Sequence, residues 1–382
     1  MPETDTLERP TDATSSLRVD RDALLAAVRA VRQTVERRNT IPILSNVLLR
    51  AETGQMSICA TDLDHFSTRV IDCEGVRIDT TVEADRLITS IDTLRPGTVD
   101  LSFLHGALTI KQGRSTRKLM TLPSVDFPFR QPEKGGVNFA IDAAPLLRIL
   151  DTARVAVSTE QTRYYLCGLF LQVKNGELIA AATDGHRVVE VRHPAPEAAT
   201  GAADSIIGTK AVNLICRLLD DQVAGAQVEV SLSDVQFRVT AGRASIGGKL
   251  VDGTFPDYRR VIRHDHAYRM AIQSAEFDRS IRAAGSLTDG KTRAVRLDLR
   301  PGHCEASGTA GDGGRSTEPM EGDYQGEEIA LGINLLYAAS VAKMFGPTPN
   351  LMLGLGRAPN EVIIITSDDR PGVTVGVMPM RA

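Results

Sequence analysis

Two short segments of the chain combine side chains that could carry out acid–base or metal chemistry. The segment Thr183-Asp184-Gly185-His186-Arg187 contains a carboxylate, an imidazole and a guanidinium, and a related segment contains Asp62 and Asp64. Such groups could build a metal-dependent nuclease or hydrolase. A metal site needs about three converging ligands, and His186 is the only histidine close to Asp184. The motif therefore favours a structural or binding role, with the nuclease built on Asp62, Asp64, Asp184 and His186 as an alternative.

These segments are copies of each other, because the sequence around them is an internal repeat. Thr61-Asp62 recurs 122 positions later as Thr183-Asp184, and Ile41-Pro42-Ile43-Leu44 falls at the same offset on Arg163-Tyr164-Tyr165-Leu166. The helical stretch that begins at Asp20 recurs at Asp142 without a slip. An offset kept over so many positions indicates duplicated domains. A third, fainter copy begins near Ser274.

Each copy is expected to contain, in order, a helix, several strands, a second helix and further strands. Asp20, Asp142 and Ser274 are good N-cap residues for the first helix, which carries one apolar stripe. Strand-like runs follow, and second helical stretches begin at Val82, Ile207 and Leu331. The third copy is eroded over residues 302–326, which we interpret as a loose polar loop. The fold class is α+β with antiparallel sheets.

Length and composition set the domain count and the compartment. The 382 residues, 42% hydrophobic, accommodate roughly three domains of about 125 residues, which we place at 17–135, 136–266 and 267–382. Residues 1–16 are polar and are expected to be a disordered extension. The five cysteines are scattered, which indicates reduced thiols in a cytoplasmic protein. No apolar stretch is long enough for a membrane span.

Basic residues concentrate on the predicted helices. The chain has a net charge of −4, but its six predicted helical windows contain 16 Lys or Arg and 11 Asp or Glu; the windows are 20–38, 82–95, 142–157, 207–219, 276–293 and 334–343. Arg29, Arg148 and Arg279 lie away from the apolar stripes of their helices. Basic helices on an acidic protein suit a surface that meets phosphates, although solvated helix faces also carry charge.

Three separated motifs carry a resemblance to a known family. They are Thr183-Asp184-Gly185-His186-Arg187, Phe255-Pro256-Asp257-Tyr258-Arg259-Arg260-Val261 and the terminal Val377-Met378-Pro379-Met380-Arg381. With the triple repeat, they closely resemble the bacterial DNA polymerase III beta subunit family, the sliding clamps. The resemblance runs from about residue 17 to the end of the chain. It implies three tandem clamp domains, each with two helices packed on antiparallel sheets, that assemble head-to-tail into a dimeric ring around duplex DNA.

The same resemblance implies a function and a set of partners. The family members are non-catalytic processivity factors without a cofactor or metal of their own. The implied partners are double-stranded DNA, which is encircled, the DNA polymerase III alpha subunit, the clamp loader complex, and other DNA polymerases, ligase and mismatch-repair proteins that carry clamp-binding peptides. The chain itself is expected to form a homodimer and to contact no membrane.

The resemblance also assigns site residues. A partner-peptide pocket between the second and third domains is implied for Leu166, Thr183, Gly185, His186, Arg187, Val188, Pro256, Arg260, Val261, Asn334, Tyr337, Val377, Met378, Pro379, Met380 and Arg381. Contacts with DNA are implied for Arg38, Tyr164 and Tyr165, in addition to the three helical arginines. On a regular strand only one of the two adjacent tyrosines would be exposed, whereas a loop could expose both.

The chain departs from the family pattern at two pocket positions. It ends in Ala382, where the family usually has Leu, and Val188 is smaller than the usual Leu. Both changes affect the expected peptide preference. Together with the N-terminal extension and the eroded third copy, Ala382 leaves a second alternative, a clamp paralogue specialised for repair or plasmid replication.

Overall fold

The computed structural model describes residues 16–36, 40–75, 77–128, 136–288 and 293–381. The chain divides into two compact units. The first unit comprises Met1–Lys134 and Arg238–Lys249, and the second comprises Gly135–Phe237 and Leu250–Ala382. Residues 1–15, most of the predicted disordered extension, lie outside the described ranges, and Ser16 begins the first strand.

Helices occur in pairs that contact each other, α1 with α2, α3 with α4 and α5 with α6. They are α1 (Arg21–Arg32), α2 (Ala84–Asp92), α3 (Ala143–Ala153), α4 (Thr209–Asp220), α5 (Ser274–Ala284) and α6 (Leu335–Phe345). Among the described residues, none of the helices has the length and apolar character needed to cross a lipid bilayer.

Short strands make up most of the remaining regular structure. The first nine are β1 (Ser16–Asp20), β2 (Asn46–Glu52), β3 (Gln55–Thr61), β4 (His65–Asp72), β5 (Glu74–Gly75), β6 (Ile78–Glu83), β7 (Thr98–Leu104), β8 (Ala107–Gln112) and β9 (Ser115–Leu122). The next eight are β10 (Val137–Asp142), β11 (Gly168–Lys174), β12 (Glu177–Thr183), β13 (Arg187–Pro194), β14 (Ser205–Gly208), β15 (Gln227–Leu232), β16 (Gln236–Ala241) and β17 (Ala244–Lys249). The last nine are β18 (Tyr268–Gln273), β19 (Ala294–Arg300), β20 (His303–Thr309), β21 (Arg315–Pro319), β22 (Gly322–Gln325), β23 (Ile329–Asn334), β24 (Asn350–Leu355), β25 (Ile363–Thr366) and β26 (Val373–Val377).

In the first unit, antiparallel strands run in the order β17-β4-β3-β2-β6-β9-β8-β7-β1-β5. Strand β9 pairs with β8 along its whole length but with β6 only through Leu122 and Thr121. Its first six residues therefore keep one free edge within this unit. Helix α1 covers the sheet with fully buried Leu24, Val28 and Val31.

In the second unit, the largest sheet has the order β14-β11-β12-β13-β26-β25-β24-β18-β22, and a smaller one has the order β21-β20-β19-β23. Strands β13 and β26 lie side by side and antiparallel, with Arg187 opposite Val377 and Val191 opposite Val373. This pair joins the middle part of the chain to its C-terminal part. The α+β class with antiparallel sheets, predicted from the sequence, is confirmed.

The predicted helix starts are close to the observed ones and differ for physical reasons. Asp20 caps α1 by accepting a hydrogen bond from the Ala23 N–H at 2.8 Å. Ser274, expected as an N-cap, is instead the first helical residue, and its hydroxyl donates to the Ala342 carbonyl. The second helices begin at Ala84, Thr209 and Leu335 rather than at Val82, Ile207 and Leu331, because each earlier position lies in a strand that leads into its helix.

The prediction of a loose loop over residues 302–326 is wrong. Strands β20, β21 and β22 occupy most of this stretch. Its glycines, serines and acidic residues have low intrinsic strand propensity, and pairing with β19 and β18 overrides that propensity.

Candidate functional site

The two Thr-Asp segments form the same turn in the two units. The Thr183 hydroxyl donates to the Arg187 carbonyl at 2.7 Å, and the Asp184 carboxylate accepts from the backbone N–H groups of His186 and Arg187 at 3.0 Å. In the first unit the Thr61 hydroxyl donates to the His65 carbonyl at 2.8 Å. The threonine and aspartate thus cap a turn in both copies, which is a structural role.

The second copy of the turn borders an apolar cavity. The cavity has a volume of about 310 Å³, and we call it the β13–β26 cavity because both strands line it. Nine residues of the predicted pocket line it, namely Leu166, Thr183, Gly185, His186, Arg187, Val188, Pro256, Val261 and Met378. Six further lining residues were not predicted for this pocket, namely Arg163, Tyr165, Asp257, Tyr258, Val362 and Gly376.

The apolar walls of the cavity come from several separate segments of the chain. Leu166 and Val188 are buried and form the inner wall, whereas Val261 and Met378 are 38% and 39% exposed at the mouth. The Met378 N–H donates to the His186 carbonyl at 2.8 Å, so the segment after β26 stays attached to the Thr183–Arg187 turn. A half-exposed methionine at the mouth gives an adaptable surface for an apolar ligand group.

Gly185 has a backbone conformation that favours glycine, and it lies close to the Arg163 guanidinium. Its φ is +90°, and a Cβ there would lie 2.7 Å from Nη1 of Arg163. The Arg163 Nε donates to Glu160 at 3.0 Å, and its Nη2 donates to the Asp184 carbonyl at 3.3 Å. Because Glu160 pairs with this guanidinium, Arg163 lies against the turn and forms part of the cavity rim. The hydrogen bond to Glu160 also raises the pKa of Arg163.

Arg187 is more fully engaged than the sequence analysis expected. Its Nε donates to Asp184 at 3.0 Å, its Nη1 donates to the Ser340 hydroxyl at 2.5 Å, and its guanidinium lies 4.8 Å from the centre of the Tyr337 ring. The side chain is only 14% exposed. Its first role is therefore to hold the turn against α6, which limits the donors left for a ligand.

A buried carboxylate fixes another wall of the cavity. Glu190 on β13 accepts from the Tyr258 hydroxyl at 2.6 Å and from Nε of Arg192 at 2.8 Å. Burial and, as the second cause, the hydrogen bond to Glu190 raise the pKa of Tyr258, so the phenol remains protonated. The sequence signal was a single glutamate within the apolar run of β13, where a buried charge needs partners.

The other predicted pocket residues do not line the cavity. Asn334 caps α6 by accepting from the N–H groups of Leu336 and Tyr337, and Val377 is fully buried beside Arg187. Met380 forms a backbone bridge with Gly332. The remaining members are Arg260, whose Nε pairs with Asp257, Tyr337, which lies under Arg187, and Pro379 and Arg381 in the terminal segment.

The helical arginines differ in how they are paired. Arg148 is exposed and forms no ion pair within the described ranges, whereas Arg29 pairs with Asp92 at 2.9 Å. Arg279 pairs with both Glu276 and Glu318. Its hydrogen bond lowers the pKa of Glu276 to about 2, so this carboxylate stays charged at neutral pH. Arginines on the corresponding helices α1, α3 and α5 therefore differ in how much of their charge is left unpaired.

The two adjacent tyrosines lie in a short 3-10 helix, Gln161–Leu166, rather than on a strand. Tyr164 is 54% exposed, while Tyr165 is partly buried and lines the β13–β26 cavity. Only Tyr164 is thus well placed to stack on a nucleic-acid base from solvent. Arg38, the remaining predicted DNA contact, lies outside the described residues.

The metal alternative finds little support in the local geometry. In the parts of the chain that the structure describes, no group of three or more His, Cys, Asp or Glu side chains could hold a metal ion. Asp62 accepts from the N–H and ring Nδ1 of His65, and Asp184 pairs with Arg187. Each carboxylate therefore stabilises the turn in which it lies.

One nucleotide-type spacing was missed in the sequence analysis. Gly285, Gly290, Lys291 and Thr292 match the Gly-x-x-x-x-Gly-Lys-Thr pattern of phosphate loops. A phosphate loop connects a strand to a following helix, whereas this segment follows α5 and precedes β19. The order is reversed, and residues 289–292 lie outside the described ranges, so we assign no nucleotide site.

Comparisons with known proteins agree over nearly all of the chain. The family models of the DNA polymerase III beta subunit match as its N-terminal domain at residues 15–131, its central domain at 140–257 and its C-terminal domain at 259–381. The beta sliding clamp of Caulobacter vibrioides is 37% identical over 96% of this chain and 99% of its own length. That of Pseudomonas aeruginosa is 31% identical over 95% of this chain and 99% of its own.

Solved structures give the same result for the fold. The Caulobacter crescentus beta sliding clamp, crystallised with PEG bound, has a TM-score of 0.91 at 34% identity and covers 97% of this chain and 99% of its own. The Bartonella birtlesii sliding clamp, bound to griselimycin, has a TM-score of 0.92 at 31% identity and covers 96% of this chain and 100% of its own.

Proposed function

This chain belongs to the DNA polymerase III beta subunit family, and we propose that it works as a closed homodimeric ring that presents the β13–β26 cavity to partner peptides. Family membership makes it a DNA sliding clamp, a non-catalytic processivity factor that acts with DNA and a DNA polymerase. Beyond family membership, we propose that the chain forms a ring, that partner peptides bind in the cavity, and that the individual site residues make the contacts described below. The observation that carries it is the apolar cavity at the junction of the central and C-terminal family domains.

The cavity suits a short extended peptide with large apolar side chains. Leu166 and Val188 offer a desolvated inner wall, Val362 adds a half-buried apolar surface, and Met378 and Val261 can close over an anchor side chain. Arg163 and His186 supply polar groups at the rim that can bond to peptide carbonyls or a glutamine side chain. We infer that the DNA polymerase III alpha subunit, the clamp loader, other polymerases, ligase and mismatch-repair proteins dock here, in the cytoplasm.

Two free strand edges support the homodimer. Among the described residues, no strand of the first unit pairs with the outer edge of Ser115–Met120 in β9, and in the second unit β21 is the outer strand of its sheet. Exposed apolar side chains lie at both places, Met120 on β9 itself and Leu287 in the short turn that contacts β21. An exposed strand edge with apolar neighbours favours pairing with another chain. Head-to-tail pairing of β9 with β21 of a second copy would close a ring of six similar domains, with boundaries near 17–135, 136–266 and 267–382.

A mass measurement tests the ring. We expect sedimentation equilibrium to give about twice the 41.2 kDa of one chain. Leu287→Asp should weaken the dimer by about tenfold or more, because a charge would replace apolar area at the edge of β21. Val223→Asp, at a side chain that is 79% exposed elsewhere in the second unit, is the matched control. A native chain that stays monomeric at micromolar concentration would contradict the ring.

We propose that Arg29, Arg148, Arg279, Arg38, Tyr164 and Tyr165 belong to the surface that meets DNA, with unequal contributions. Arg148 should contribute most because it has no competing carboxylate among the described residues, and Arg279 least because Glu276 and Glu318 already pair with it. Charge reversal to glutamate should therefore weaken duplex binding in the order Arg148, Arg29, Arg279. Fluorescence anisotropy of a short duplex at low salt measures this, and the salt dependence should flatten in the same order.

Arg77→Glu is the control for that series, because Arg77 is 70% exposed and pairs with Glu52 outside the proposed DNA surface. Surface ion pairs contribute only about 0–1 kcal/mol, so each variant should remain folded. An equal loss for Arg279→Glu and Arg148→Glu would show that the pairing seen here does not control the available charge.

A further inference from the structure

One strand position at the inner wall of the β13–β26 cavity differs between the two copies of the repeat. Val188 on β13 corresponds, at the offset of 122 residues, to Phe66 on β4. Phe66 lies opposite Gly247 in its sheet, and Val188 lies opposite Gly376 in its own. Both side chains are buried. The same position, across from a glycine of the partner strand, therefore holds a phenyl ring in the first copy and the smaller valine in the second.

The backbone around this position is held in the same way in both copies. In the second unit the Met378 N–H donates to the His186 carbonyl at 2.8 Å, and in the first unit the Lys249 N–H donates to the Asp64 carbonyl at 2.9 Å. Asp64 and His186 are again 122 positions apart. Because the two strand pairs share this register, valine in place of phenylalanine leaves apolar space in the second copy. Val188 lines the cavity, so this space belongs to its inner end.

Gly376 adds to the same space. It lies within β26, and its φ is outside the left-handed region, so the backbone conformation alone does not call for glycine. A Cβ there would lie 2.9 Å from Cγ1 of Val188 and 3.3 Å from Cγ1 of Val362. The missing Cβ lets both valine side chains lie close to β26 rather than further into the cavity. A glycine inside a strand often marks a place that a ligand approaches closely.

The wall beside this space is aromatic and held in place. Tyr258 lines the cavity and packs edge-to-face on Phe255 and Phe170, with ring centres 6.0 and 6.4 Å apart. The Tyr258 hydroxyl donates to the buried Glu190 at 2.6 Å, which fixes the orientation of the ring. Aromatic rings favour edge-to-face or offset contacts with a further ring. A ring supplied by a ligand would extend this cluster without reordering it, which reduces the entropic cost of binding.

We propose that Val188 and Gly376 make the inner end of the cavity a site for a phenyl ring, so that this chain selects partner peptides anchored by phenylalanine over those anchored by leucine. The ring of the peptide takes the place opposite Gly376 that Phe66 takes opposite Gly247 in the first copy. Val188 is then the residue that sets the size of the anchor. The inference rests on the proposed function, because it specifies which peptides the β13–β26 cavity prefers.

The test uses the full-length chain and two labelled pentapeptides, Gln-Ala-Ala-Leu-Phe and Gln-Ala-Ala-Leu-Leu, which differ only in the last residue. The native chain should bind the phenylalanine peptide about tenfold more tightly, because the ring buries more apolar area and contacts Tyr258. Val188→Leu should abolish this preference, since one methylene in a hydrophobic pocket changes affinity by about tenfold or more. Fluorescence anisotropy measures the affinities.

Val189→Leu is the matched control for that variant. Val189 is buried on the same strand but does not line the cavity, because successive strand residues point to opposite faces. This variant should keep the native preference for the phenylalanine peptide, and thermal unfolding verifies the fold of both variants. Val188→Phe reproduces the residue of the first copy and should weaken both peptides by about tenfold or more.

A measurement on the native chain does not depend on the folding of any variant. In a nuclear magnetic resonance titration with methyl-labelled valine, the phenylalanine peptide should cause a ring-current shift of the Val188 methyl signals, and the leucine peptide should not. The signals are assigned from Val188→Leu, and those of Val189 should remain in place with both peptides.

The outcomes distinguish a failure of this inference from a failure of the peptide site. Equal affinities of the two peptides for the native chain, a full preference that persists in Val188→Leu, or unshifted Val188 signals with the phenylalanine peptide bound would each overturn the phenyl site and leave the peptide site standing. If neither peptide binds the native chain, the peptide site itself is contradicted, and this inference is overturned with it.

Discussion

Deletion of residues 378–382 is expected to abolish binding of a labelled polymerase-tail peptide while the dimer persists. The deletion removes Met378 from the mouth of the β13–β26 cavity and breaks the Met378 N–H bond to the His186 carbonyl. It also removes the backbone bridge of Met380 with Gly332, but it leaves Val377, which is fully buried and paired with Arg187 in the sheet. The loss should therefore be one of the binding surface rather than of the fold.

A single substitution makes the same point without truncating the chain. Met378→Ala should weaken peptide binding by about 2 kcal/mol or more, because anchors at a desolvated groove dominate affinity. Met352→Ala is a close control, since Met352 is 38% exposed and Met378 is 39% exposed, but Met352 lies on β24 away from the cavity. Anisotropy of the labelled peptide measures the affinities, and thermal unfolding verifies the fold. Undiminished binding after the five-residue deletion would show that partners dock elsewhere.

The sequence analysis succeeded where the repeat carried the information. The Thr-Asp turn, the N-cap at Asp20 and the apolar stripe of α1 depend on residues close together in the chain, so spacing alone predicts them. Comparing the two copies of the turn also distinguishes residues that stabilise the turn from residues that form the cavity. Thr61 and Thr183 make equivalent hydrogen bonds, so the threonine is structural, whereas the cavity beside the second copy requires Leu166 and Val188.

The remaining features depend on contacts between distant segments, which spacing does not encode. The Tyr258 hydroxyl reaches Glu190 across 68 positions, and Arg279 meets Glu318 across 39. Glu276, three residues before Arg279, indicates one of its two ion pairs, but the second partner, Glu318, comes from a distant segment, whereas Arg148 is unpaired within the described ranges. The strands in residues 302–326 were missed for the same reason, since their stability comes from neighbours such as β19 rather than from their own composition.

A closed ring should show its largest effect in the difference between its retention on circular DNA and its retention on linear DNA. A loaded clamp should remain on nicked circular DNA through a wash at high salt and should leave within minutes once a restriction enzyme linearises the circle. Individual phosphate contacts weaken steeply with salt, but enclosure does not depend on them. A groove-binding protein would instead leave both forms alike as salt rises.

Two variants connect this result to the residues described here. Arg148→Glu should reduce duplex affinity yet leave retention on the circle nearly unchanged, since a closed ring holds DNA without that contact. Leu287→Asp should lose retention even though its DNA-facing residues are intact, because a ring that opens at the β9 and β21 edges releases circular DNA. Gel filtration of labelled clamp with each DNA form measures both effects. Equal retention of the native chain on circular and linearised DNA would exclude encirclement, and loss of retention in Arg148→Glu alone would show that charge, rather than closure, holds the chain on DNA.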